Sequence, residues 1–259
     1  MRKQILFCAA LLLLSILSSV SVVAEDVIPQ PNNISYSKGY FTLNKGLKAV
    51  TNLTGQDFKV LNQFTSDDMD MPLISMKKPS KAYNVRLICT GTALQATQAQ
   101  DSARLQGYEL EVSPKSITIQ SLTPTGLFYG LLTLAQLEKG RQIPCVKVKD
   151  TPRFPYRGLM IDCSRHFWTK KFIMKQLDAM AYFKLNRFHW HLTDGGGWRM
   201  EVKQYPRLTN ETAYRTQSDW VKWWMEKDRK YCPVGTPGAY GGYYTQQDIK
   251  DIVRYAAAR

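Results

Sequence analysis

Two short stretches concentrate the side chains able to do chemistry. The first holds Asp162, Ser164, Arg165 and His166; the second holds His189, His191, Asp194, the run Gly195-Gly196-Gly197, and Trp198. Arg165 offers a fixed fork of five donors, suited to the oxygens of a ligand. It is equally suited to an ion pair with Asp162 or Asp194 that ties two strand ends together. Asp194 can orient a histidine or accept from a ligand hydroxyl; an Asp before glycines also starts turns. His189 and His191 are two apart on a strand, so they share a face. His-x-His can ligate zinc, with His166 as a third ligand. No Cys/His companion spacing supports that, and two hydrogen-bonded histidines of a core strand are the plainer reading, so neither metal nor cofactor is expected. The glycine run lacks the Lys-Ser/Thr of a phosphate loop and opens no helix. No Gly-x-Ser-x-Gly elbow and no Ser-His-Asp order appear. No adjacent acidic pair follows a third strand of the kind that carries these residues.

These residues need elements that place them. Tyr156–Cys163 reads as a strand, and its continuous Leu159-Met160-Ile161 predicts cover on both faces. Thr169 caps a helix running to about Lys184, with Ile173, Leu177, Met180 and Ala181 on one stripe. Arg187–Leu192 is a second strand. Strand, helix and strand form a parallel βαβ unit. Both chemical stretches then fall at strand C-terminal ends, where α/β sheets bind ligands. Thr193–Tyr244 is long and irregular, which in a compact domain points to function. Within it Trp220, Trp223 and Trp224 sit at helical spacing. They fit a short packed helix, or an aromatic surface for stacking sugar faces. Thr245, with Asp248 three residues on, opens a last helix carrying Ile249, Ile252, Val253 and Ala256 on one face.

Upstream, residues 25–150 read as a small α+β domain. Tyr108, Leu110 and Val112 alternate, then Ile117 and Ile119, with Ser113-Pro114-Lys115 between: a hairpin. Thr125–Leu137 has helical periodicity. Leu94–Ala103 is a polar helix or a loop. Pro144–Pro155, with three prolines and a strand-like Val146-Lys147-Val148, reads as the junction to residues 151–259.

Residues 1–24 do not belong to either unit. Arg2 and Lys3 precede an apolar run and a small-residue segment ending Val22-Val23-Ala24, which predicts a secretory signal peptide. The run is shorter than the ~20 residues that span a bilayer, and nothing later spans. The protein is therefore expected to be exported, whether periplasmic, surface-held or secreted. Of 259 residues, 44% are hydrophobic and 12% aromatic, excluding disordered and collagen-like classes. The net charge of +14 raises the question of polyanion partners. The basic residues are dispersed and the compartment is wrong for nucleic acid, so none is expected; attraction to an anionic glycan stays open. Four cysteines remain after the leader, Cys89, Cys145, Cys163 and Cys232, and free buried thiols are the simpler reading.

Several of these segments carry a family resemblance. Tyr156-Arg157-Gly158-Leu159-Met160-Ile161-Asp162-Cys163-Ser164-Arg165-His166-Phe167 resembles the opening barrel strand of the β-N-acetylhexosaminidases of glycoside hydrolase family twenty. Met180–Asn186 with Phe188–Asp194 resembles the second strand and the helix before it. Gly197–Val202, Tyr205-Pro206 and Tyr243–Ile249 extend the likeness, and Gly126–Gly130 with Leu134–Leu137 is similar to the helix of the family's preceding domain. The resemblance implies a small α+β domain followed by the first two βα units of a (β/α)8 TIM barrel, incomplete within residues 151–259. A barrel takes about 250 residues. It implies a substrate bearing a terminal N-acetyl-hexosamine, hydrolysed with retention by the sugar's own 2-acetamido group. Arg165 matches the arginine that binds the terminal sugar's hydroxyls, and Asp194 matches the strand-end Asp of the polar network. The family's catalytic Asp-Glu pair would lie beyond Arg259, so these residues are expected to be inactive alone. Gly195-Gly196 departs from the family's commoner Asp-Gln. A non-catalytic glycan-binding protein or the product of a decayed gene is the alternative. Linkage, gluco versus galacto preference and oligomeric state are not legible in the sequence.

Overall fold

A computed structural model describes residues 27–91, 103–227 and 229–259. The leader and all of Leu94–Ala103 except Ala103 lie outside them. The first unit is a seven-stranded mixed sheet. In chain order its elements are β1 (Asn33–Thr42), β2 (Ala49–Thr51), α1 (Gly55–Met69), β3 (Leu73–Ser75) and β4 (Val85–Cys89). Then come β5 (Tyr108–Ser113), β6 (Ser116–Ser121), α2 (Pro124–Leu137) and β7 (Gln142–Asp150). The strand order is β1-β7-β5-β6-β4-β2-β3. The hairpin expected from the alternation is present, with Tyr108 opposite Ser121 and Leu110 opposite Ile119. Its inward residues Tyr108, Leu110, Val112, Ile117 and Ile119 are buried, as a period of two requires. The helix α2 is buried on nearly every side. Leu127, Leu131 and Leu134 are fully buried in the apolar core that α2 shares with the sheet.

Two expectations change here. The junction is shorter than Pro144–Pro155: the strand-like Val146-Lys147-Val148 belongs to β7, which pairs with both β1 and β5 and runs to Asp150. Its prolines misled because Pro144 falls beside an irregularity in the pairing of β1 with β7, where a missing N–H is tolerated. The helix α1 left little trace, since only Leu61, Thr65 and Met69 are buried along its 15 residues.

The second unit begins with β8 (Gly158–Asp162), α3 (Lys170–Tyr182) and β9 (Arg187–His191). The two strands pair in parallel, Met160 opposite His189 and Asp162 opposite His191. Thr169 caps α3 by accepting from the Phe172 amide at 3.3 Å. The apolar run of β8 is not covered on both faces: Met160 is 53% exposed, because among the described residues α3 and the last helix pack on one side only. A short β10–β11 hairpin (Thr193–Asp194 with Gly197–Trp198) follows β9. After a helical turn at Arg207–Asn210 and a short strand at Tyr214–Arg215 comes the helix α4 (Trp220–Met225), and α5 (Gln246–Ala257) is the last element. The capping box at Thr245 and Asp248 is formed in both directions. Lys170 clamps α3 to α5 through Asp248 at 3.0 Å and Asp251 at 2.7 Å. Polar contacts join the units: Gln136 donates to the Tyr182 carbonyl at 2.8 Å, and Arg157 to Gln106 at 2.9 Å. No helix among the described residues is long and apolar enough to cross a membrane. Cys145, Cys163 and Cys232 are free and buried; Cys89 is free and half-buried.

Candidate active site

The ends of β8 and β9 bring Asp162, Arg165, His191 and Asp194 together. The Arg165 amide donates to Asp162 Oδ1 at 2.9 Å, which folds the turn after β8 back on the strand end. The guanidinium then bridges the strands: Nη1 lies 2.8 Å from Asp162 Oδ2, and Nη2 lies 2.7 Å from Asp194 Oδ2. His191 Nε2 is 3.2 Å from both Arg165 Nη1 and Asp194 Oδ2. That nitrogen serves one partner at a time. Unprotonated, it accepts from Arg165; protonated, it donates to Asp194. Asp194 also accepts from the Gly195 amide at 2.6 Å. That bond, then Arg165 and His191, hold its carboxyl below the usual range against a desolvation that raises it. The ion-pair reading of Arg165 thus holds for both acids. The arginine stays open nonetheless, with 36% of its side chain exposed. Its five donors exceed the three partners found among the described residues, so it can bond a ligand without leaving its acids.

The loop geometry depends on two glycines. A Cβ on Gly196 would stand 2.9 Å from the Trp220 ring and 3.1 Å from Arg165 Cα. Gly197 has φ +154, and a Cβ there would strike the Arg199 guanidinium at 2.4 Å. With Gly195-Gly196 as its two-residue turn, the run makes a tight hairpin and not a phosphate cradle.

Two arginines that the sequence did not single out underlie the site. Arg199 is fully buried. It donates to the carbonyls of Cys163 at 3.0 Å, Ser164 at 2.8 Å and Gly242 at 3.2 Å, and to that of Ala213. One guanidinium therefore ties the turn after β8 to two distant points of the long loop. Burial, with Arg215 adding repulsion, lowers its pKa to about 10. Arg215, also fully buried, donates to the Arg165 carbonyl at 2.9 Å. Its Nε and Nη1 have no hydrogen-bond partner. They are set instead among Trp220, Trp223 and Tyr240, whose ring centres lie 5.3–5.4 Å from its Cζ, a cation–π cage. Nothing in the spacing marks these two; the clue available was glycine, at Gly197, where the Arg199 guanidinium approaches closely, and at Gly241-Gly242, where the Ala213 backbone and the Phe167 ring do.

Other candidates are placed as follows. His189 and His191 share a face, with ring centres 6.0 Å apart, while His166 bonds the Tyr240 hydroxyl at 2.8 Å and packs on Trp168. No group of three or more His, Cys, Asp or Glu among the described residues could hold a metal ion. Trp223 is buried and donates to the Lys230 carbonyl, so it is a packing residue. Trp224 is exposed, but Trp220 and the Arg229 guanidinium lie against it at 5.1 and 4.0 Å.

The site is thus an arginine–carboxylate–histidine cluster at the C-terminal end of a parallel strand pair, behind a small mixed-sheet domain. Residues 24–151 match the model of glycosyl hydrolase family 20, domain 2, and residues 154–259 match that of the family's catalytic domain. The chain belongs to glycosyl hydrolase family 20. It is 33% identical over 251 residues to a beta-hexosaminidase of Porphyromonas gingivalis, covering 90% of this chain and 29% of that protein. To the N,N'-diacetylchitobiase of Vibrio harveyi it is 33% identical over 249 residues, covering 92% of this chain and 26% of that protein. The chain thus spans less than a third of these relatives. A similar solved structure is the family 20 exo-beta-N-acetylglucosaminidase of Vibrio harveyi in complex with N-acetylglucosamine. Its TM-score is 0.68 at 29% identity, over 91% of this chain and 35% of that one. The beta-N-acetylhexosaminidase of Bacteroides fragilis gives 0.67 at 25%, over 90% and 43%.

Proposed function

We propose that this chain is the leading part of an exported exo-β-N-acetylhexosaminidase, comprising the small domain and the first two βα units of its (β/α)8 barrel. The observation that carries the reading is the Arg165 bridge between Asp162 and Asp194 at the strand ends. There Arg165 takes the hydroxyls of a terminal N-acetyl-hexosamine, and Asp194 with His191 fixes the guanidinium and the network around it. The reaction is glycoside hydrolysis with retention. The substrate's acetamido oxygen attacks the anomeric carbon, a step favoured by proximity within one molecule, and a carboxylic acid protonates the leaving oxygen. That acid and its aspartate neighbour are not supplied by Arg165 or Asp194, which are already engaged in their own pair. On this reading these 259 residues are expected to be inactive alone.

The test compares two polypeptides on a chromogenic N-acetyl-β-glucosaminide: these 259 residues, and the same reading frame carried to its natural stop. Turnover is expected only from the second, with Arg165→Ala lowering its kcat/KM at least about tenfold through lost charge-assisted bonds. Turnover by the 259 residues alone overturns the inactivity. An extended product that binds N-acetylglucosamine without turnover favours the glycan-binding alternative.

A further inference from the structure

After α3 and its C-cap Phe183 comes a lysine, Lys184, where a helix end of positive φ ordinarily takes glycine. Lys184 has φ +57, and its amide bonds the Ala181 carbonyl at 2.8 Å. Its side chain leaves the helix for the other domain and is buried there. Nζ lies 2.7 Å from Thr133 Oγ1 on α2, 3.0 Å from the Tyr108 hydroxyl on β5, and 3.7 Å from Asp150 Oδ2 at the end of β7. Three elements of the sheet domain thus converge on one amine from the second unit. The titratable and charged groups facing it are Tyr108 on β5, Asp150 on β7 and Arg157 ahead of β8; α2 contributes the Thr133 hydroxyl. Charge compensation is incomplete. Asp150 stands beyond hydrogen-bond distance, and its Oδ1 is taken by the Asn32 amide at 3.1 Å.

We propose that Lys184 is a proton-responsive pin between the two units: losing the Nζ proton tightens their docking, and regaining it loosens it. Burial pulls the docked amine down from 10.5 to about 8, with Asp150 opposing and Arg157 assisting. Undocked in water, the amine returns to its ordinary range. Between these values the undocked form holds more protons, so docking strengthens as pH rises through about 8 to 10.5 and is constant below. Tyr108 is pushed above its ordinary range by burial and stays protonated across that window.

The whole 259-residue chain, with 13C at its lysine ε-carbons, is titrated by NMR from pH 6 to 11. One resonance with a midpoint near 8, absent from Lys184→Met, is expected; all lysines titrating together above pH 10 overturns the pin. Docking is read separately by urea unfolding, because all six tryptophans lie after residue 151 and report the second unit. From pH 7 to 9.5 the unfolding constant of the natural chain should fall about 25-fold relative to the double variant Lys184→Met, Asp150→Asn. Equal pH dependence in the two proteins sinks the proposal. Should the variant not fold, the titration of the natural chain still decides, since a midpoint near 8 obliges docking to follow pH by linkage.

Discussion

The two units of this chain are built on opposite balances of apolar and polar interactions. In the sheet domain the tightly buried residues are almost all aliphatic or aromatic, and α2 is covered nearly all round. In the second unit the apolar cluster is small, centred on Ile173, Leu177, Met180 and Tyr244. Its largest fully buried side chains besides Trp223 and Tyr244 are two arginines. Hydrophobic burial is non-directional and fixes no one hydroxyl or carboxylate. Guanidinium bonds to named carbonyls are directional. The contrast shows why the site sits where it does: the unit that must hold Arg165 and Asp194 in register is organised by hydrogen bonds, and the other supplies a firm base.

The sharpest way to test that contrast is one deletion in each unit. Arg199→Met takes a donor from five buried carbonyls and should destabilise the tryptophan-bearing unit by about 3–5 kcal/mol, since each buried polar group left unsatisfied costs about 1–3 kcal/mol. Leu131→Ala should destabilise the sheet domain by about 2–5 kcal/mol through lost contacts and a cavity. Urea unfolding checks both. An Arg199→Met cost below about 1 kcal/mol would mean that packing, and not the guanidinium, holds the loops.

The same contrast explains what could be read from the chain. The hairpin β5–β6, the helix α2, the unit β8–α3–β9 and the capped helix α5 all follow from local periodicity and caps, because each signal lies within one element. The meeting of Arg165 with Asp162 and Asp194 was legible because both stretches fall at strand ends. Arg199 and Arg215 were not, since their partners Cys163, Ala213, Gly242 and Arg165 are remote in sequence and are backbone carbonyls, which every residue offers. Of the strand β7 only Val146-Lys147-Val148 is legible, because Pro144 reads as punctuation, and α1 leaves little signal because little of it is buried.

Acid should separate the units. Asp194, Glu211, Asp248 and Asp251 all have lowered pKa values and all lie in the second unit. Asp194 is held by the Gly195 amide and Arg165, Glu211 by Arg207, and Asp251 by Lys170. At Asp248 burial raises the value, but Thr245 and Lys170 outweigh it. Carboxyls depressed in the fold stabilise it above their unfolded pKa of about 4, and that stability is lost as pH falls through the folded values. Asp68, in the sheet domain, is raised by burial and has the opposite sign. On lowering pH from 6 to 2, tryptophan emission should therefore change at a higher pH than the Leu131 methyl NMR signals. The reverse order would break the comparison.

The smallest effects lie at helix starts, where α1 and α5 differ. Thr54 caps α1 with no side-chain hydrogen bond, whereas Thr245 accepts from the Asp248 amide at 3.0 Å and completes a reciprocal box. Thr245→Ala removes an acceptor that one orphan amide needs and frees the Asp248 carboxylate, so it should cost about 1 kcal/mol. Thr54→Ala removes no such bond and should stay within about 0.5 kcal/mol. Urea midpoints of the two variants measure the difference. Equal costs would show that α1 relies on its threonine in a way the hydrogen bonds do not reveal.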